Sequence, residues 1–514
     1  MSRTNKKTIF IAFVVSLGGF LFGFDAGIIS GVMSYVGPEF DLNDIQNGWV
    51  VSSPTFSAMI AMLISGRLSD FLGRKRILIA VAFLYALSAL LSAYAINYQM
   101  LWIARMIGGI AFGAALILAP AYIAEISSAE NRGKLVSIQQ LNIVLGFFAA
   151  FLCNYYLNKL NISGAEFLSN ETVWRWMLGI EFIPALIYFI MLFFIPKSPR
   201  WLYLKSRISK AKQILTELHG SSKAKLEIEA IEEAIARDAN RAKVKIWDLL
   251  KPGLRFIFFV GLTLGILQQI TGINAIYFYA TSIFKQTGIG TNAAFASGVF
   301  LSLTTVLFTV VAIFLIDRMG RRPLLLFGMA GIAISLIVCS YGFGKATYEL
   351  SDEDIKGLPG IEQEKLTSVA SVTFDNDVDF KNAMKEALGT KVYAKNEGAI
   401  LEAATNMNAI LVLIGILCFT ACFAFSLGPV MWVMLSEVYP NKYRGLAIGI
   451  IGFVNSFCSW FVQQIFPLEI SMLGNSTTFL IFGMIALLGF FVLVKILPET
   501  KGKSLEELES ELTF

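Results

Sequence analysis

Three ionisable residues interrupt stretches that are otherwise apolar over the length of a bilayer. Asp25 lies in IFIAFVVSLGGFLFGFDAGIISG, Arg105 in MLWIARMIGGIAFGAALILAPAYIA and Glu181 in WMLGIEFIPALIYFIMLFFI. A lone charge in hydrocarbon is costly, so such residues normally face a polar cavity and mark an ion or substrate path. A structural salt bridge or a snorkelling end residue is the plainer explanation for any one of them. Three together point to a path. Each lies roughly 10 Å inside the same face of its stretch at 1.5 Å per residue, so the three can meet in one small site. No histidine is near, so a carboxylate must carry any proton that moves there.

A second constellation is built from amides. Gln268, Gln269 and Asn274 in QQITGIN fall in an apolar stretch and are poorly suited to facing lipid. A side-chain amide donates and accepts at once, which suits a ligand ringed with hydroxyls; bonding between neighbouring helices is the plainer alternative. In an unbroken helix Gln268 and Asn274 point about 120° apart. Gly272 between them can loosen the helix and let the amides converge.

The elements that position these groups follow from composition. The chain has 514 residues, of which 56% are hydrophobic and only 15% charged. About 20 apolar residues cross a bilayer core. Twelve candidate spans are predicted, at 9–31, 47–65, 77–95, 99–124, 135–157, 174–195, 255–281, 293–316, 323–343, 406–435, 445–468 and 477–497. The first lacks a cleavage signature and reads as a retained helix. The five cysteines all fall within spans, so neither a zinc site nor a disulfide framework is expected.

The net charge of +5 is not a nucleic-acid signal, because the basic residues follow topology. One set of connections holds Arg67, Arg74, Lys75, Arg76, Arg132, Lys134, Arg318, Arg321, Arg322, Lys442 and Arg444; the opposite set holds only Lys159 and Lys285. The positive-inside rule makes the first set, and both termini, cytoplasmic. Residues 197–253 form a basic insertion whose amphipathic pieces, ISKAKQILTELHG and AKLEIEAIEEAIARDANRAK, predict short helices on that face. The single histidine, His219, reads as a solvated surface residue at a helix end. A second insertion, about 344–405, is polar and lies outside, with a helix expected around VDFKNAMKEALG.

The sequence also repeats itself. GRLSDFLGRKR after the second span matches IDRMGRRP after the eighth, and EISSAENRG after the fourth matches EVYPNKYRG after the tenth. The spacing between the second pair of marks exceeds that of the first by about the length of the outer insertion. Two parallel six-helix halves explain this, the architecture of a large transporter class. Asp70, Arg74, Glu125 and Arg132 in one half, with Asp317, Arg321, Glu437 and Arg444 in the other, then suggest breakable cytoplasmic ion-pair latches. Plain positive-inside anchoring is the alternative for any one basic residue.

Together with PKSPRWLYLK, GPVMWVMLSEVYPNKYRG and LPETKG, these motifs resemble the sugar porter family of the major facilitator superfamily over nearly the whole chain. The resemblance implies an all-α membrane protein, twelve transmembrane helices in two six-helix bundles with a cytoplasmic helical domain. It implies sugar contacts at Gln140, Gln268, Gln269, Asn274, Trp432 and Asn455. It also implies that an acid at Asp25 accompanies proton symport; Arg105 and Glu181, at the same depth, are the residues that can meet it there. The chain departs from the family at Phe147, Phe278, Thr305 and Ser456, which leaves the particular sugar open, and at Lys197, which replaces the glutamate of P-E-S-P-R.

The expected organisation is an N-terminal bundle at 1–196, a cytoplasmic helical linker at 197–253, a C-terminal bundle at 254–497 with the outer insertion, and a tail at 498–514. The expected function is import of a monosaccharide, a pentose, hexose or related polyol, by proton symport through alternating access. A passive uniporter and a non-transporting sugar sensor are the alternatives. No metal cluster, phosphate loop or nucleophile–base pair marks an enzyme, and no cofactor is expected beyond the proton as coupling ion. The expected partners are a small sugar and the lipid bilayer, without nucleic acid, for a chain that works as a monomer in a bacterial inner (plasma) membrane.

Overall fold

The computed structural model describes residues 3–128, 131–239, 245–358, 361–440 and 442–501; the side chains of 3–5, 234–239 and Asp317 fall outside the described set. Eleven stretches among these residues are long and apolar enough to cross a membrane. Ten are Lys6–Glu39, Asp44–Leu72, Arg74–Ala93, Tyr98–Ile126, Arg132–Ile162, Val173–Leu192, Leu254–Phe278, Thr291–Ile316, Arg321–Gly344 and Ala409–Val438. The eleventh, Arg444–Ile496, is 53 residues long and breaks at Gly474, where φ is +78°, so it supplies the last two of twelve spans. The protein is an all-α, twelve-span, multi-pass membrane protein with a minimal two-stranded sheet.

Spans two and three, and eight and nine, meet at Gly73 and Gly320, each with φ +96°. That left-handed conformation turns the chain within one residue and favours glycine. Elsewhere small residues let backbones touch. A Cβ at Gly23 would stand 2.0 Å from the Ile143 carbonyl oxygen, and one at Gly146 would stand 2.1 Å from that of Phe20. Spans one and five therefore pack backbone to backbone, the usual geometry where lipid supplies no hydrophobic drive between helices.

The described residues cluster into two compact units. The first comprises 1–25, 53–150 and 178–243, and the second 26–52, 151–177 and 244–514. The first unit has a buried core that includes Val15, Tyr85, Leu118, Tyr122 and Tyr188. It also holds three helices of the 197–253 insertion, at Pro199–Leu204, Ile208–His219 and Ser221–Ala239, whereas the insertion's 3-10 helix Ile246–Leu250 falls in the second unit. His219 does end a helix there, but it is not a solvated surface residue. Its side chain is 5% exposed, and its ring Nε2 lies 2.9 Å from the Ile126 carbonyl and 3.5 Å from Glu227. The short helical hairpin folds His219 back onto the end of span four, which local sequence does not reveal.

In the second unit the long insertion folds on itself. A strand pair, Thr347–Tyr348 with Thr405–Asn406, closes its base. Helices Asp352–Gly357, Asp377–Leu388 and Thr390–Ala404 surround a core including Tyr348, Leu366, Phe380 and Met384. Asp377 accepts from the backbone N–H and the side-chain amide of Asn475, at 3.1 and 2.6 Å, just past the Gly474 break. Gln286 donates to Glu397 at 3.1 Å. The insertion is thus fastened to two inter-span connections.

Candidate functional site

The amide cluster lies in the second unit. The helix Pro252–Ile270 stops before Gly272, whose φ is +88°, and a new helix runs over Ile273–Phe278. The break turns Asn274 back onto the preceding helix, and its amide donates to Gln269 Oε1 at 2.8 Å. Gln269 donates to Asn455 Oδ1 at 3.1 Å, and Asn455 donates to Gln268 Oε1 at 2.8 Å. Gln268 in turn donates to the Leu427 carbonyl at 2.9 Å, at the start of helix Leu427–Val438. Spans seven, ten and eleven are tied together by one amide ring.

Two residues that motif reading passed over complete this ring. Asn274 also donates to Ser459 Oγ at 2.6 Å, which accepts from Gln463 at 2.8 Å. Asn455, Ser459 and Gln463 recur every fourth residue, a one-face helical spacing that was visible in the sequence. Trp432 is 41% exposed and lies over Gly452, where a Cβ would meet its indole at 3.7 Å. Gly452 shares a helix face with Asn455, so the indole sits one turn from the amides. Phe278 is buried, and Thr305 bonds Tyr277. Gln140 belongs to the first unit and is exposed, whereas its neighbour Gln139 is buried against Gly19 with Oε1 unsatisfied.

Within the second unit, residues of spans one, two and five meet residues of spans seven, eight and eleven. Ser30 Oγ lies 3.0 Å from Thr281 Oγ1 and accepts the Thr281 backbone N–H at 2.9 Å. Ser52 donates to Gln464 at 2.8 Å, and Asn158, which accepts from Tyr35, donates to Asn292 at 3.5 Å. The space at Gly298 is filled by Phe151, to which a Cβ would come within 2.5 Å. This seam lies on the side of the long insertion and was not legible from spacing.

The ionisable cluster lies in the first unit. Arg105 Nη1 donates to Asp25 Oδ1 at 3.1 Å, with side-chain exposures of 2% and 10%. Glu181 is 4% exposed, at a break between Val173–Gly179 and Phe182–Leu192, and within electrostatic reach of both. Tyr85 donates to the Gly18 carbonyl at 2.9 Å and faces the same carboxylates. Buried charges need partners, and the arrangement supplies one cation for two acids.

The duplicated motifs form duplicated contacts. In the first unit Arg74 bonds Asp70 at 2.7 Å and Glu125 at 3.1 Å, and the Ser198 hydroxyl donates to Glu125. In the second unit Arg321 forks onto Glu437 at 3.1 and 2.8 Å, and the Thr500 hydroxyl donates to Glu437 at 2.6 Å. The Asp317 side chain lies outside the described residues. Arg132 is exposed and faces Glu227, and Arg444 donates to the Tyr439 carbonyl at 3.1 and 3.0 Å. Among the described residues neither pairs with the two repeated glutamates.

Comparison with known proteins agrees with this geometry. The family model for sugar (and other) transporters matches residues 11–361 and 387–512. The arabinose-proton symporter of Bacillus subtilis is 33% identical over 508 residues, covering 99% of this chain and 96% of that protein. The major myo-inositol transporter of the same organism is 34% identical, covering 97% and 93%. The xylose transporter XylE of E. coli, in a partially occluded inward open conformation, matches with a TM-score of 0.74 at 28% identity, covering 97% of this chain and all of that one. The chain is not an enzyme but a membrane carrier that belongs to the sugar transporter family, with the major facilitator fold.

Proposed function

We propose that this chain imports a monosaccharide or related polyol by proton symport. The observation that carries the proposal is the buried Asp25–Arg105 pair with Glu181 beside it. Burial in an apolar bundle favours a neutral acid, whereas an adjacent guanidinium favours the carboxylate. A change in the Asp25–Arg105 distance therefore switches Asp25 between holding and releasing a proton. Glu181 holds Arg105 while Asp25 is neutral.

The sugar is assigned to Gln268, Gln269, Asn274 and Asn455, with Trp432 covering a C–H face; Gln140 is assigned a sugar contact as well. Amides offer donors and acceptors to each hydroxyl, and an indole offers an apolar plane. Relatives named for arabinose and myo-inositol support a ligand of this size and polarity. The Arg-rich latches and both termini are assigned to the cytoplasm of a bacterial cell, and the chain is assigned as a functional monomer. Purified protein in liposomes, given a panel of pentoses, hexoses and inositols, tests the reading. One of these sugars should accumulate above its external level under an inward proton gradient, and an uncoupler should abolish that accumulation. Uptake that only equilibrates would make the chain a uniporter.

A further inference from the structure

The chain after Gly272 forms a separate rod. It runs over Ile273–Phe278 and Ala280–Lys285, between Gly272 with φ +88° and Gly288 with φ +73°. Both angles are left-handed, which glycine adopts without strain, so the rod has a break at each end. It carries contacts of two kinds. Asn274, near its start, donates into the amide ring through Gln269 at 2.8 Å. Thr281, further on, forms the seam by giving its backbone N–H to Ser30 Oγ at 2.9 Å. Opening the seam there means moving this rod away from span one.

The far end of the rod is held by the insertion. Gln286 donates to Glu397 Oε1 at 3.1 Å, and Tyr393, one turn earlier on the same helix as Glu397, donates to that oxygen at 3.4 Å. Gln286 is buried and its own Oε1 is unsatisfied, so the bond to Glu397 is the one hydrogen bond its side chain makes among the described residues. Lys285 stands within electrostatic reach of the same carboxylate. The backbones pack closely here: a Cβ at Gly288 would stand 2.7 Å from the Thr405 side chain, and one at Gly398 would stand 2.7 Å from Thr291 Oγ1. The insertion is not free to follow the rod. Its strand pair closes it at the ends of spans nine and ten, and Asp377 ties it to Asn475 at the start of span twelve. Moving the rod away from span one therefore strains or breaks the bond from Gln286 to Glu397.

We propose that Glu397 is a positioning residue for transport, acting through Gln286 to hold the rod against span one and so keep the seam closed. A contact made in only one of two arrangements shifts the population towards that arrangement, and a hydrogen bond to a carboxylate is among the stronger ones available. The insertion then sets how often the path opens on its side, while the sugar itself stays with the amides. This rests on the seam opening during transport, and not on what drives transport.

The test is the rate at which N-ethylmaleimide alkylates Ser30→Cys in the purified full-length protein, in a background lacking the five native cysteines. Ser30 is buried and belongs to neither the rod nor the insertion, so its reaction reports parting of the seam. Glu397→Ala should speed labelling about fivefold or more, the effect of one net hydrogen bond. Gln286→Leu, which removes the donor instead, should do the same. Glu397→Gln keeps an acceptor and should stay nearer the parent. Ser351→Ala removes the cap of helix Asp352–Gly357, elsewhere in the insertion, and should lower the unfolding temperature without speeding labelling. Equal rates in the parent, Glu397→Ala and Gln286→Leu overturn the proposal. Equal acceleration by Ser351→Ala also overturns it, because the effect would then be a general loosening of the insertion. Neither sugar nor a proton gradient enters the measurement, so either result leaves the symport reading untouched.

Discussion

Arg105 reaches Asp25 across 3.1 Å in the interior of the first unit, and both side chains are almost wholly removed from solvent. Glu181 is buried beside them, so a single guanidinium serves two acids. Removing one partner of a buried charge pair costs several times what an exposed pair would. The pair is therefore held where its protonation matters, and Arg105→Ala should disturb folding as well as coupling.

Gln268→Ala removes an amide that donates to the Leu427 carbonyl and accepts from Asn455. Each lost hydrogen bond to a bound sugar should cost about 1–3 kcal/mol, which is roughly five- to more than a hundredfold in affinity. Trp432→Ala should also weaken binding. Calorimetry on inserted protein checks this, and unchanged affinity in both variants would place the sugar elsewhere.

The seam on the insertion side can be locked. Cysteines replacing Ser30 and Thr281, whose hydroxyl oxygens lie 3.0 Å apart, should oxidise to a disulfide. In a background lacking the five native cysteines, uptake should stop on oxidation and return on reduction. Uptake that continues through a formed disulfide would show that the seam need not open.

The folded insertion should matter for stability and not for sugar. Asp377→Ala leaves the Asn475 N–H and the Lys381 ammonium without their acceptor, at a cost of about 1–3 kcal/mol for each unsatisfied group. The unfolding temperature should drop while sugar affinity stays within a few-fold. A tenfold loss of affinity would mean that the insertion helps to hold the substrate.

Burial raises Glu227 above the ordinary glutamate value of 4.5, opposed by His219, Arg132 and Lys223. A raised folded value means that its stabilising contribution is present at low pH and fades as pH climbs past that value. Glu227→Gln should flatten the stability profile just above pH 4.5. An unaltered slope would show that this carboxyl is not linked to folding.

The spans were legible because twenty-residue apolar runs have few other uses, and duplicated Gly73 and Gly320 turns marked the repeat. Gly272 announced the break that gathers the amides, because glycine readily takes the positive φ found there. The break at Glu181 was signalled only by Gly179 and Pro184, whose ring leaves the Ile180 carbonyl without its usual donor, inside an otherwise apolar run that reads as one span. His219 was misread because its partners, Ile126 and Glu227, come from elements that only tertiary packing brings near. Ser30 and Thr281 are both ordinary small polar residues in apolar stretches, so nothing local distinguishes their pairing. The core of the insertion was hidden by its polar average, although Phe380 and Met384 already lay on one helix face.

The central claim is that Asp25 carries the coupling proton. Asp25→Asn keeps the shape of the neutral acid and removes its titration. In liposomes under an imposed inward proton gradient, the parent should concentrate sugar, whereas Asp25→Asn should only equilibrate it while retaining sugar binding and exchange. If Asp25→Asn concentrates sugar as the parent does, the proton travels by another group and this account is wrong.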